Sequence, residues 1–138
     1  MMRAVPLILL AVAALVAPAT AQNAMTASEL AKSAKAHLNE PIALRGAYCY
    51  SATRGYQCRT SEPLLIVTDA MPAGAPKSAM DGDCGEVDGL EQSANCRFTL
   101  QMVPTDVSIQ DGDYMRRGRQ VRAKIMVVTA TVISARKE

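Results

Sequence analysis

Five cationic side chains lie within nine residues near the end of the sequence: Arg116, Arg117, Arg119, Arg122 and Lys124. A cluster of one sign attracts groups of the opposite sign, so it predicts a surface for an anionic partner. Candidates are a polysaccharide, a lipid headgroup, a nucleic acid or an acidic protein face. We expect Tyr48, Tyr50 or Tyr56 to add contact area. The alternative is a solvated strand edge, where Arg and Lys discourage pairing with another edge.

Five carboxylates lie within eleven residues: Asp81, Asp83, Glu86, Asp88 and Glu91. An EF-hand needs oxygen ligands at positions 1, 3, 5 and 12 and glycine at position 6. Counted from Asp81, positions 5, 6 and 12 are Gly85, Glu86 and Gln92, so the match fails. The pattern favours a solvated acidic loop over residues 81–91, and a looser cation site stays open. This loop and the basic cluster are also suited to pair with each other, within one molecule or between two.

His37 is the only histidine and is the candidate metal ligand or general base. The alternative is a histidine at a helix C-terminus, where a cation interacts favourably with the helix dipole. The carboxylates Asp69, Asp106, Asp111 and Asp113 are also present, and nothing marks two of them as a catalytic pair. No nucleophile motif, zinc-protease motif or phosphate-binding loop occurs. We therefore expect no enzyme activity, no cofactor and no metal.

The four cysteines are Cys49, Cys58, Cys84 and Cys96. An even count in a short exported chain predicts two disulfides, for which three connectivities are possible. We favour Cys49–Cys58 and Cys84–Cys96, because a hairpin centred on Thr53-Arg54 places the first two directly opposite each other. Zinc binding is disfavoured, because there is no C-x-x-C pair and only one histidine.

The N-terminus has the pattern of a secretory signal. Arg3 precedes the apolar run Leu7–Ala17, and Ala19-Thr20-Ala21 fits a signal-peptidase site. We expect residues 1–21 to be cleaved, leaving residues 22–138 as one domain in the bacterial periplasm or outside the cell. No stable membrane anchor is expected after cleavage, and the alternative is an uncleaved N-terminal anchor.

Length and composition agree with one small exported domain. The 138 residues fit a single domain, and 49% of them are hydrophobic, which excludes intrinsic disorder. The formal net charge is only +2, which argues against a dedicated nucleic-acid binder.

One helix and about five strands are predicted. Residues 26–39 have helical spacing, with Thr26 and Glu29 as a capping box and Pro41 beyond the end. Strands are predicted over residues 42–50 (with a bulge or sharp bend at Gly46), 55–60, 63–70 and 96–103, and over 119–133 as one bent strand or two. Loops are predicted over residues 71–95, with a short helix near 86–93, and over 104–118, with Asp111-Gly112 as a turn.

The strand order resembles a small OB-type barrel. The segments that carry this resemblance are IALRGAYCY, PLLIVTDA and RGRQVRAKI…ATVI, within about residues 40–135. The resemblance implies a binding barrel, not an enzyme, with its ligand face on the middle strands. The disulfides, the export signal and the five aromatic residues depart from nucleic-acid-binding members. The expected fold is mainly β (α+β): a five-stranded OB-like barrel with one N-terminal helix and a long disulfide-closed loop.

These observations predict an exported, non-enzymatic binding or accessory domain that contacts an anionic polymer or an acidic protein surface. A second hypothesis is a structural, self-associating envelope protein. A third is a small hydrolase or metal-dependent enzyme that uses His37.

Overall fold

The computed structural model describes residues 23–84 and 94–138. The predicted signal, residues 1–21, lies outside the described residues. The described chain begins with α1 (Ala27–Ser33), which continues as a 3₁₀ turn, Ala34–His37. The Thr26 side chain accepts a hydrogen bond of 3.2 Å from the Glu29 N–H, as the capping prediction requires. The helix predicted over residues 26–39 is confirmed in place, and its last turn is tightened.

Five strands form a sheet that closes on itself as a ring. They are β1 (Ile42–Ala52), β2 (Gly55–Arg59), β3 (Leu64–Thr68), β4 (Arg97–Arg116) and β5 (Arg119–Lys137). The order is β1-β2-β3-β5-β4, and β4 pairs back with β1. Every pairing is antiparallel except β3 with β5, which is parallel. The mainly β, five-stranded prediction is confirmed.

The core lies inside the ring. Cys49, Cys58, Ile66 and Val128 stand in register on four neighbouring strands, and all four are fully buried. Because directly paired residues share one face of a sheet, this row identifies the inner face. The alternate residues on these strands therefore point outward. Helix α1 adds Leu30 to the same core.

The first hairpin has the predicted geometry. Ala52 pairs with Gly55, so Thr53 and Arg54 form the turn, and Cys49 lies opposite Cys58. The β1–β4 register shifts between Leu44 and Ala47, which confirms the predicted irregularity at Gly46.

Both predicted disulfides are present. Cys49 is bonded to Cys58 and Cys84 to Cys96, with Cα–Cα distances of 4.0 and 5.6 Å. Two disulfides are compatible with a periplasmic or extracellular location. Within the described part of the chain, no helix is both long and apolar enough to cross a bilayer.

The prediction of one helix and a long loop over residues 71–95 is wrong for part of that segment. A second helix, α2 (Ala75–Gly82), has a proline in its first turn and buries Met80. Proline is tolerated there because the first N–H groups of a helix have no intrahelical partner. Residues 94–96 form a 3₁₀ turn. The short helix predicted near residues 86–93 lies outside the described residues.

The prediction of a loop over residues 104–118 is also wrong, because β4 continues through Pro104 to Arg116. Asp111 and Gly112 pair with β5 in mid-strand, and the chain turns at Arg117-Gly118 instead. The register shifts between Pro104 and Asp106, so a bulge accommodates the proline. The last segment forms one strand, not two.

Candidate binding surface

Strands β4 and β5 extend beyond the ring as a two-stranded arm. Strand β3 pairs with β5 only over Met126–Thr129, and β1 pairs with β4 only as far as Met102. In the described structure, residues 110–125 therefore pair only with one another, and we call them the arm. The seven residues that β4 contributes to the arm span about 23 Å in an extended conformation.

The two faces of the arm carry different chemistry. Pairing is regular from Val107↔Val128 to Arg116↔Arg119, so the faces of the ring continue onto the arm without a slip. The arm face that continues the inner face of the ring carries Asp111, Asp113, Gln120, Arg122 and Lys124. The arm face that continues the outer face carries Tyr114, Arg116, Arg119, Val121, Ala123 and Ile125.

Two of the five clustered cations are paired with acids of the arm itself. Lys124 Nζ lies 2.6 Å from Asp111 Oδ1, and Arg122 Nη1 lies 3.7 Å from Asp113 Oδ1. These are cross-strand pairs on the inner arm face. They are exposed and stabilise the arm only slightly, but they cancel its charge on that side.

The other three cations form the tip of the arm. Arg116 and Arg119 stand directly opposite each other, and Arg117 lies in the turn between them. Among residues 23–84 and 94–138, these tip arginines form no ion pair. Like charges in directly opposed positions destabilise a hairpin, so the tip maintains positive charge at a cost in stability.

The turn at the tip departs from the usual choice of residues. Arg117 has φ +51° and Gly118 has φ +75°, as in a type I′ turn. The first position of such a turn favours Asn, Asp or Gly, because these residues tolerate a positive φ best. An arginine at this position adds charge where an asparagine would give a more stable turn.

The outer arm face next to the tip is apolar. Tyr114 pairs with Val121, and both are partly buried. Ile125 lies over Gly112, where an added Cβ would approach its Cδ1 to 2.7 Å. The absence of a side chain at Gly112 thus lets Ile125 lie flat on the arm.

The structure does not bring the three predicted tyrosines to the tip. Tyr48 pairs with Arg97, the first residue of β4, whereas Arg116 is the last. Tyr50 is buried, and its hydroxyl donates to Gln57 Oε1 at 2.7 Å. Tyr56 is buried against α2. The tyrosine beside the arginines is Tyr114, which the loop prediction for residues 104–118 concealed.

Helix α2 is held against the ring by hydrogen bonds among Tyr56, Asp81 and Lys77. Tyr56 Oη donates to Asp81 Oδ1 at 2.6 Å, and Lys77 Nζ donates to Asp81 Oδ2 at 2.9 Å. The hydrogen bond from Tyr56, followed by that from Lys77, lowers the pKa of the Asp81 carboxyl. Asp81 and Asp83 thus belong to α2 and its C-cap. The rest of the predicted acidic loop, Glu86, Asp88 and Glu91, lies outside the described residues.

The hydrogen bonds that Asp81 accepts from Tyr56 and Lys77 are expected to make the free energy of unfolding depend on pH in the acid range. Because the folded pKa of Asp81 lies below its ordinary value of 3.8, the stabilisation is present above that value and is lost as pH falls through the folded pKa. We expect Asp81→Asn to destabilise the protein at pH 7 and to reduce the loss of stability between pH 5 and about pH 2. Urea unfolding across this pH range measures the free energy of unfolding of each variant, and Asp83→Asn is the charge-matched control. Equal pH dependence in both variants would contradict the assignment.

His37 lies at the end of the 3₁₀ turn, as the helix-terminus alternative expects. Its Nδ1 is 3.7 Å from Glu40 Oε2. Among the described residues, no group of three or more His, Cys, Asp or Glu side chains is placed to hold a metal ion. An open groove of about 330 Å³ lies where β3 ends, between Asp69 and Met71 on one side and Thr131 on the other.

Comparisons with protein-family models, curated proteins and solved structures find no match to this chain.

Proposed function

We propose that this chain is an exported, non-enzymatic binding domain that contacts an anionic partner through the tip of its β4–β5 arm. The observation that carries the proposal is the arginine set Arg116, Arg117 and Arg119. These three form no ion pair among the described residues, whereas Arg122 and Lys124 are neutralised within the arm. A tip that keeps like charges together is suited to a ligand that supplies the missing anions.

We also propose that the ring is an OB-like barrel. The order β1-β2-β3-β5-β4, with β3 parallel to β5, supports this assignment. OB-type barrels bind ligands with the outer surface of the middle strands and with the loops that follow strands 1 and 4. In this chain the second of those loops is the arm tip, so the proposed site and the proposed fold agree. Export rests on the N-terminal pattern and is compatible with the two disulfides.

Self-association is the alternative, in which the acidic loop of one copy contacts the basic strand of another. Of the acids in that loop, Asp81 already pairs with Tyr56 and Lys77, and Glu86, Asp88 and Glu91 lie outside the described residues. Light scattering across a salt series tests this alternative, which requires an oligomer that dissociates as salt rises.

Replacing the tip arginines is expected to weaken binding to an anionic polymer. The variant Arg116→Gln/Arg117→Asn/Arg119→Gln removes three charges, while asparagine suits the positive φ of the turn. At about 0.5–1 kcal/mol for each exposed cation, we expect affinity for dextran sulfate to fall about tenfold or more at low salt. The measurement is retention on a dextran sulfate column between about 50 mM and 500 mM salt. Screening of exposed charges becomes strong over this range.

A matched control distinguishes the effect of the tip arginines from the effect of lowering the net charge of the protein. Lys32→Gln/Lys35→Gln/Arg136→Gln removes the same number of exposed cations elsewhere. This control is expected to elute close to the wild type. If the two triple variants elute together, or if the wild type is not retained at low salt, the proposed function is wrong.

A further inference from the structure

We propose that the anionic partner of the arm is a lipid bilayer surface, on which the outer arm face lies flat. This inference rests on the proposed function and names the class of partner. It begins from the two faces of the arm, which the regular register from Val107↔Val128 to Arg116↔Arg119 separates cleanly.

The cations without described ion-pair partners and the apolar residues lie together. Arg116 and Arg119 are on the same face as the Tyr114–Val121 pair, and Ala123 and Ile125 continue that face toward the ring. A soluble polyanion gains nothing from apolar side chains beside the cations. A bilayer offers anionic headgroups directly above an apolar layer, so a face with both features complements it.

The opposite face of the arm carries charged and polar side chains, and Ile109, 54% exposed, lies on the same face at the base of the arm beside the ring. Asp111–Lys124 and Asp113–Arg122 give this face cross-strand ion pairs with no net charge. Tyrosine and arginine are also the side chains that suit the boundary between headgroups and acyl chains, since each has an apolar body and a polar end. The arm thus has one face for the bilayer and one for solvent.

A single introduced tryptophan tests which face meets the lipid, because the chain has no tryptophan of its own. Tyr114→Trp places the probe on the outer arm face, and Gln120→Trp places it on the opposite face. On vesicles of equal phosphatidylglycerol and phosphatidylcholine, we expect the Tyr114→Trp emission to shift to shorter wavelength and to be quenched by brominated acyl chains. The Gln120→Trp emission is expected to stay unshifted. All residues outside the arm are the same in both variants, so the difference reports the arm alone.

Two further measurements complete the test. Val121→Trp, across the strand from Tyr114, is expected to reproduce the shift, which guards against a local packing defect. Adding the triple tip replacement to Tyr114→Trp is expected to abolish the shift, as is the use of pure phosphatidylcholine vesicles.

An unshifted emission from both outer-face probes, or equal shifts from both faces, would overturn the bilayer proposal. If that happens while dextran sulfate retention still depends on the tip arginines, the proposed function stands and its partner is a soluble polyanion. If retention is absent as well, both proposals are overturned.

Discussion

A chain in which Cys49 and Cys58 are both replaced by alanine is expected to lose about 3 kcal/mol of stability, the loop-closure entropy for a bridge of this span. The sequence separation is only 9, but both cysteines are fully buried in the row that defines the core. Removing the two buried sulfur atoms also leaves a cavity in the core, which lowers the stability further. Because small domains are stabilised by only about 5–15 kcal/mol, the loss should be plain in urea unfolding.

The second disulfide supplies the matched comparison. Cys84→Ala/Cys96→Ala removes a bridge with a sequence separation of 12, for which the same entropy estimate gives about 3 kcal/mol. The wild type in a reducing agent should approach a chain that lacks both bridges. Unfolding midpoints that stay unchanged in all of these samples would show that the strand pairing alone holds the ring together.

Gly55→Ala is expected to destabilise the protein by about 2–5 kcal/mol, from the sum of backbone strain and overpacking. Gly55 ends the β1–β2 turn with φ +86°. A Cβ at this position would overlap the carbonyl oxygen of Thr68 and lie 2.9 Å from the Cα of Asp69. Both contacts are with backbone, so the neighbour cannot rotate away. The substitution would push β3 away from β2 at this end of the ring.

Gly46→Ala is the control that isolates the strain. Gly46 has φ +72°, but nothing lies within 4 Å of a Cβ built there. We therefore expect only the cost of the left-handed conformation, about 1–2 kcal/mol. Thermal or urea unfolding of the two alanine variants gives the comparison. If Gly46→Ala proves as damaging as Gly55→Ala, the close approach to Thr68 is not the cause.

The parts of the fold set by local chemistry could be predicted from the sequence. The hairpin at Thr53-Arg54 followed from two cysteines at cross-strand spacing, and the irregularity at Gly46 followed from a glycine within an alternating run. The capping of α1 by Thr26 depends on four neighbouring residues only.

The length of β4 could not be predicted, because each of its local signals is ambiguous. Pro104 normally ends a strand, but here β1 no longer pairs beyond Met102, so its missing N–H interrupts no ladder on that side. The dipeptide Asp111-Gly112 is typical of a hairpin turn, but here both residues pair in mid-strand and Gly112 lies beside the Ile125 side chain. The true turn, Arg117-Gly118, begins with a residue that such turns disfavour.

Helix α2 could not be predicted from the sequence for a similar reason. Its first turn contains Pro76, and Gly74 precedes it, so the segment has the composition of a loop. Its position depends on Met80 entering the core and on Asp81 meeting Tyr56, which are contacts between residues far apart in sequence.

The candidate binding surface could also be predicted only in part. Spacing alone identified the five cations, but their separation into a neutralised pair and a charged tip depends on the register of β4 with β5. That register follows from the position of the turn, and a turn at Asp111-Gly112 would have placed the arginines opposite other residues of β4. Tyr114 could not be placed beside the arginines from the sequence, because its segment was predicted to be a loop and forms part of β4.

The ring cannot close until its fifth strand exists. Strand β5 alone joins β3 to β4, through Met126–Thr129 on one side and most of its length on the other. A nascent chain that ends before residue 126 therefore has two open sheet edges and no route to the finished sheet. Closure of the ring must therefore wait until nearly all of β5 has been synthesised.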